Sequence, residues 1–379
     1  MEHPSVSGQD GKAKPRLIAL DLSHNHFNFL RLSMALLVIW SHCFAIFYGS
    51  EDHEPVSRLL NGVYNSGNIA VRVFFVISGF LITLSYVRSR SLPGYLKKRV
   101  MRIYPGYIAA ALLCLFVVTP LFSTQADWSA EGIGKALATM MVLRAKFPPS
   151  DAFAGHPVTA VNGALWSIPY EFYCYIGVIG LGLTGLLHKR LRLLVLAALL
   201  GLMAVKTGLD ITGLRPGGGI FGTIFGWPYM WFSVAPCFLT GTLAYLYRDM
   251  LPRSWVLAIL LPLALIASTY VSPLLSDWLF PPVIAYVTFF IAFSRAPLPD
   301  FAHFGDFSYG TYLYGFPIQQ MMLGLGLPFL AYVPLTMLAS LLAGVVSWFA
   351  IERRFLAKKS REALTQGHVP DQARLGTVG

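Results

Sequence analysis

Apolar residues along this chain come in long runs separated by short polar segments. The runs lie at about 27–49, 68–87, 103–122, 163–187, 192–208, 226–247, 254–271, 277–294, 306–327 and 330–351. A helix crossing a bilayer needs roughly 20 apolar residues. The pattern therefore predicts an all-α, polytopic transmembrane helical bundle of about ten spans. A membrane barrel would show short alternating segments instead. The stretch 130–145 is only partly apolar and is flanked by Glu131, Arg144 and Lys146. It fits either an eleventh span or a half-helix lying on the membrane surface.

Charge separates these two readings. Segments 88–102 (Arg88, Arg90, Lys97, Lys98, Arg99, Arg102), 188–192 (Lys189, Arg190, Arg192), 248–253 (Arg248, Arg253) and 352–361 (Arg353, Arg354, Lys358, Lys359, Arg361) are basic, whereas 49–67 is acidic (Glu51, Asp52, Glu54). Lys and Arg collect in cytoplasmic loops. With ten spans every basic loop falls on one side; with eleven, the later ones move outside. The expectation is ten spans, both termini cytoplasmic, and 130–145 as a non-spanning helix on the outer face. Three parts follow: a cytoplasmic tail 1–26, a transmembrane domain 27–355 and a cytoplasmic tail 356–379. No cleavable signal pattern, internal repeat or second soluble domain is expected.

Composition agrees with a lipid environment. Of 379 residues, 55% are hydrophobic and 12% charged, against about 25% charged in soluble domains; mean hydropathy is +0.60. The aromatic share of 14% excludes disorder. The net charge of +11 would suggest nucleic acid in a soluble chain, but topology accounts for it here, and no nucleic-acid partner is expected. Four cysteines (Cys43, Cys114, Cys174, Cys237) lie singly in apolar runs without a CxxC, so neither a metal site nor a disulfide framework is expected.

Ionisable residues at membrane depth are costly and mark function by default. Arg31, His42, Arg72 and Glu171 qualify, whereas Lys206 and Asp306 stand at span ends, where snorkelling or capping explains them. Arg31 and His42 are eleven residues apart. Eleven steps of ~100° return to nearly the same helix face, with a rise of ~16 Å. His42 is then either a working imidazole or one hydrogen-bonded to a neighbouring helix. Counted from their outer ends, Glu171 and His42 are expected at similar depth, with Pro169 kinking the helix that carries Glu171. Glu171 reads as a functional carboxylate or as a structural one paired with Arg72. Arg72 itself reads as that partner, as a ligand for an acidic acceptor, or as a snorkelling cation. Lys97, Lys98, Arg99 and Arg102 serve either as a topology signal in contact with anionic lipid or as a phosphate clamp.

These pieces, in this order, resemble the membrane-bound acyltransferase 3 family, bacterial integral-membrane O-acyltransferases of surface glycans. Arg31 and His42 match its Arg, ten residues, His pattern. Phe74-Phe75-Val76-Ile77-Ser78-Gly79-Phe80 matches its FFxxSGF run, and Lys98-Arg99-Val100-Met101-Arg102-Ile103-Tyr104-Pro105 its KRxxRIYP loop. Leu165-Trp166-Ser167 with Glu171-Phe172-Tyr173 matches its LWS…E…Y segment, Phe307 to Leu313 its SYxxYL segment, and Ile351-Glu352-Arg353 its closing Glu. The resemblance covers about 27–355. The chain departs from the pattern at three places: Gly315 stands where many members carry a His, Arg72 replaces a frequent acidic residue, and Pro169-Tyr170 replaces a small apolar pair.

The resemblance implies transfer of an acyl group, often acetyl, from cytosolic acyl-CoA to a hydroxyl, with no tightly bound cofactor. It implies His42 as general base and Glu171 as the group that fixes its tautomer. Arg31, Lys98, Arg99 and Arg102 would hold the donor, with Ser78 and Gly79 supplying donors to the oxyanion. Arg72, Trp166, Tyr170, Tyr173 and Gln319, with Gln320, would face a carbohydrate or lipid-linked glycan acceptor on the outer side of a bacterial inner membrane. A transporter or flippase of a lipid-linked glycan is the alternative, but the repeated halves common in transporters are missing.

Overall fold

The ends of the apolar runs carry ordinary helix-stop and helix-start chemistry. The first helix, α1 (Phe27–Tyr48), stops at Gly49, which adopts a left-handed φ of 74° and returns its N–H to the Ala45 carbonyl. The next long helix, α2 (Ser66–Val87), follows a single turn Pro55–Leu59 and starts at Asn65, whose side chain accepts the Asn68 N–H at 2.6 Å. Between them Glu54 is fully buried and accepts from Ser57 N–H at 2.6 Å and from Trp40 Nε1 at 3.3 Å. One member of the acidic segment is thus a structural cap as well as a topology signal. Ser91 caps α3 (Leu92–Leu113), which runs on through a π-helical turn as a rod Leu92–Phe122.

In this computed structural model the described residues are 25–299 and 304–356. The expected tails, with Lys12, Lys14, Arg16, Lys358, Lys359 and Arg361, lie outside them. Next along the chain are α4 (Ala130–Met141), α5 (Ile168–Leu183) after a 3-10 turn Gly163–Ser167, α6 (Arg192–Thr212) and α7 (Pro228–Leu246). They are followed by α8 (Trp255–Val271), α9 (Pro273–Ala292), α10 (Ser308–Leu323) and α11 (Phe329–Ser347). Every one of the ten apolar runs is helical. At 12 residues, α4 is too short to cross a bilayer, as its partly apolar sequence predicts.

Six helical rods are long and apolar enough to span: Phe27–Tyr48, Ser66–Val87, Leu92–Phe122, Lys189–Thr212, Pro273–Ala292 and Phe329–Leu356. The other four are α5 and α10 with 16 residues each, α8 with 17, and the more polar α7. By length and composition six rods qualify as spans among the described residues, and the figure of about ten is not confirmed.

Burial is distributed as lipid requires. Leu193, Val256, Ile259, Leu330 and Val346 are exposed, while Ser41, Thr242, Ser308, Thr311, Gln319 and Thr336 are buried. Polar side chains turned inward and leucines outward suit a chain whose solvent is hydrocarbon. The tightest seam joins α2 to α7. A Cβ on Gly79 would stand 2.0 Å from the Phe238 carbonyl oxygen, and one on Gly241 would stand 2.1 Å from that of Val76. Backbone meets backbone there, and only glycine fits.

Candidate active site

At the basic end of the bundle, α1, α3 and the start of α10 meet on one carboxylate. Arg31 and Arg102 both donate to Asp306 Oδ2, Arg102 at 2.6 Å, while Ser308 Oγ donates to Oδ1 at 2.5 Å. Arg102 also lies over the Tyr309 ring at 5.6 Å. Asp306 is therefore more than the helix cap expected of it: it is the shared counter-ion of two of the predicted donor-binding arginines. Buried Glu352 also acts electrostatically on both arginines, so two carboxylates answer these two cations.

Those cations open into a cavity of about 940 Å³ that brings together Arg31, Lys98, Arg99, Arg102, Ser78 and Glu171. Arg99 has no carboxylate partner among the described residues. It is held between the rings of Tyr175 at 5.8 Å and Tyr95 at 6.0 Å, and its Nε is buried without a partner. Gly79 is the exception among the predicted donor-binding residues. It sits inside α2, where helical bonding engages backbone N–H groups, and its carbonyl accepts from Thr83 at 2.7 Å. The expectation of free backbone donors there is not met; its role is packing against α7.

Glu171 sits in this cavity and not beside the imidazole. Its Oε1 accepts from Ser78 Oγ at 2.7 Å and from Tyr175 at 2.5 Å. The Cβ position of Gly67, near the start of α2, lies 2.9 Å from Ser41, the neighbour of His42. Ser78 is eleven residues further along α2, a rise of about 16 Å. Glu171 thus lies at the depth of Arg31, about three helical turns from His42, and similar depth for the two is corrected. Helix register sets this depth: the Ser78–Glu171 bond places α5 against the inner half of α2, while Gly163–Ser167 forms a 3-10 turn and Pro169 stands in the first turn of α5, so Pro169 opens a helix and does not kink one. Nor does Arg72 pair with Glu171.

A narrow cavity of about 30 Å³ continues from Arg31 and Glu171 past Phe74 and Ser167 to Tyr312. Tyr312 donates to the Ala164 carbonyl at 2.6 Å and accepts from Ser167. One turn beyond, Phe316 meets the His42 ring edge-on at 5.3 Å. His42 is half-buried, makes no hydrogen bond among the described residues, and lines neither cavity. Arg31 and His42 do share a stripe: one faces Asp306 before α10, the other Phe316 on α10.

Toward the opposite end a third cavity, of about 460 Å³, is lined by Arg72, Arg144, Trp166, Tyr170 and Trp227, and shares Val71 with the narrow one. Tyr173 is turned away and donates to the Ile224 carbonyl at 3.3 Å. Gln319 is fully buried; its amide donates to the Ile39 carbonyl at 2.8 Å and to Cys43 Sγ. Gln320 ties α10 to the connecting segment through Val158, Ala160 and His156. Neither glutamine lines these cavities. All four cysteines are free and buried.

A family model described as an acyltransferase domain, acyltransferase 3, matches residues 24–352. The chain belongs to the acyltransferase 3 family. It is 27% identical over 350 residues to an O-acetyl transferase of Shigella phage Sf6, covering 89% of this chain and 97% of that protein. It is 28% identical over 333 residues to Nodulation protein 10 of Rhizobium leguminosarum bv. viciae, covering 80% and 84%. No solved structure matches. This acyltransferase 3 chain is accordingly an integral-membrane, multi-pass O-acetyltransferase-type enzyme.

Within this acyltransferase 3 framework two departures acquire a cause or a context. A Cβ on Gly315 would stand 2.8 Å from the Ile39 side chain, so a larger residue at that position requires Ile39 on α1 to shift. Arg72 stacks over Phe280 at 4.8 Å and Tyr64 at 5.0 Å, which a carboxylate would not do. Sequence reasoning missed Asp306, Tyr175 and Arg144 as site residues. An acid two residues before the SYxxYL segment, at the same end as the KRxxR loop, was the available signal for Asp306. Nothing local marks the other two.

Proposed function

We propose that this protein moves an acyl group, acetyl in the simplest case, from cytosolic acyl-CoA to a hydroxyl of a carbohydrate-type acceptor across a bacterial inner membrane. The observation that carries this reading is the large basic cavity, where Arg31, Arg99 and Arg102 converge with Lys98 beside it. Coenzyme A is polyanionic, and guanidinium forks suit its phosphates. The pantetheine arm would run along α1, past Glu171 and Tyr312. From Arg31 to His42 it must cover about 16 Å of helix rise.

His42 is the proposed general base. An imidazole without a hydrogen-bond partner is free to take the proton of an acceptor hydroxyl as that oxygen attacks the thioester carbonyl. The thioester bond breaks and coenzyme A leaves as the thiol. Phe316 must turn aside for the thioester to arrive. Glu171, at the other depth, orients Ser78 and Tyr175 around the arm.

One observation favours a second reading of the base: Glu171, and not His42, lines both donor-side cavities. Radiolabelled acetyl-CoA supplied to membranes carrying the full chain separates the readings. Label should reach the glycan fraction with the wild type, fail with His42→Ala, and persist at reduced level with Glu171→Gln. Loss with Glu171→Gln alone would move the base to Glu171. No label in any glycan, with acetyl-CoA unconsumed, would overturn the transferase reading of this site.

A further inference from the structure

We infer that the acceptor is anionic, a glycan bearing a carboxylate or phosphate, and that Arg72 and Arg144 hold that group. The inference rests on the proposed reading of this end of the bundle as the acceptor site, and extends it to a substrate class.

Both guanidinium side chains line the same 460 Å³ cavity, a volume ordinary for a small-ligand site. Neither has a carboxylate partner among the described residues. Arg72 stacks on Tyr64 and Phe280, and the acid closest to serving it, Asp277, is already occupied. Asp277 Oδ1 accepts from Tyr64 at 2.7 Å, and its Oδ2 takes Lys206, which also holds Asp210 at 2.7 Å. Arg144 comes from the end of the segment after α4, placed by its N–H on the Thr139 carbonyl at 2.8 Å. Its guanidinium is hydrogen-bonded to the Tyr170 hydroxyl, and its Nε is buried without a partner.

A guanidinium at membrane depth such as Arg72 is costly unless paired. With Arg144 reaching into the same open cavity from the outer face, the two, held by ring stacking and by the Tyr170 hydroxyl and with no carboxylate partner among the described residues, form a site for a planar or tetrahedral oxyanion. The rest of the wall fits the remainder of such a ligand. Trp166, Tyr170 and Trp227 give aromatic faces for the C–H faces of sugar rings, and Asn68 gives a hydroxyl partner. An apolar or neutral acceptor would cover both partly buried charges without answering them. A carboxylate of an acidic sugar and a phosphate on a sugar share this chemistry.

The full chain in phosphatidylcholine nanodiscs tests this by calorimetric binding without acyl-CoA, so the outcome is independent of whether transfer occurs. The probes are digalacturonate against neutral galactobiose, and galactose 1-phosphate against galactose. At least one anionic member should bind about tenfold tighter than its neutral partner, and which one does identifies the anion. Arg144→Gln and Arg72→Gln should each erase most of that preference. Arg144→Lys should restore part of it, charge being kept and the fork lost. Should Arg72→Gln fail to fold, Arg144→Gln and the wild-type preference still decide. Equal binding of charged and neutral members, or a preference untouched in the folded variants, overturns the inference while leaving acyl transfer intact. A separate incubation of the bound probe with acetyl-CoA reads the other question: anion-selective binding with acetyl-CoA left unconsumed would count against the proposed transfer at this site and leave the anion site standing.

Discussion

Ser78 donates its hydroxyl to Glu171 at 2.7 Å, and this bond fixes the carboxylate at the depth of Arg31. The proton acceptor proposed for the hydroxyl and the carboxylate of the LWS…E…Y segment are therefore separate devices. A hydrogen bond cannot join them across three helical turns. Any coupling between them runs through the substrate that lies along α1.

His42→Ala should lower acyl transfer by about 10²–10⁴-fold, the usual worth of a positioned base. The acyl-CoA KM should change little, because the donor phosphates bind at the far end. Size-exclusion behaviour of the purified variant should match the wild type, since the ring makes no hydrogen bond among the described residues and is not fully buried. Transfer within threefold of wild type would remove His42 from the chemistry.

Arg99 and Arg102 should separate on mutation. Arg99→Ala removes a cation that makes no ion pair among the described residues, so it should raise the KM for acyl-CoA about tenfold and leave thermal stability near wild type. Arg102→Ala breaks a mostly buried pair with Asp306. Losing one partner of such a pair costs about 3–5 kcal/mol, although Arg31 remains to soften it. A thermal shift assay and donor titration on both variants would check this. The same KM and the same stability in the two would refute the distinction.

Gly79→Ala and Gly241→Ala should each destabilise the bundle by about 1–3 kcal/mol or more. Each new methyl meets a backbone oxygen of the facing helix, which cannot rotate away as a side chain can. Gly134→Ala, where nothing lies within 4 Å, is the control and should be neutral. The yield of monodisperse protein after detergent extraction reports the difference.

Asp151 is held well below the usual carboxylate range, first by the Ser123 hydroxyl, then by the Gln125 N–H and by Thr124. A carboxylate with a lowered folded pKa contributes stability above its unfolded value, roughly pH 3.9, and loses it as pH falls through the folded value. The turn 123–125 should therefore be protease-resistant at neutral pH and open only in strong acid. Asp151→Asn should open it at pH 7; unchanged cleavage in that variant would show that the carboxylate charge is not what holds the turn.

Much of the site was legible because its residue types are expensive in a membrane. Arg31, Arg99 and Arg102 stand out in an apolar chain, and they do meet in one cavity. The depth of Glu171 was not legible. A count from the span entry takes regular α-helix from residue 163, and the 3-10 turn there adds only about 2–3 Å of rise, far less than the displacement. How helices slide past one another then decides which residues are level. Arg144 was read only as a flank of a short segment, since nothing in a linear pattern says that the chain after α4 returns to the mouth of α2 and α7.

The sequence by itself determined the solvent and the segments. Long apolar runs can satisfy their backbone in lipid only as helices, and the family motifs follow from residue order. Tertiary structure alone decided the partners: which carboxylate answers which arginine, which cation is left over, and which glycine is a seam instead of a donor. Those outcomes depend on the register between helices, set by side-chain volumes meeting across an interface. No single segment encodes both sides of that meeting.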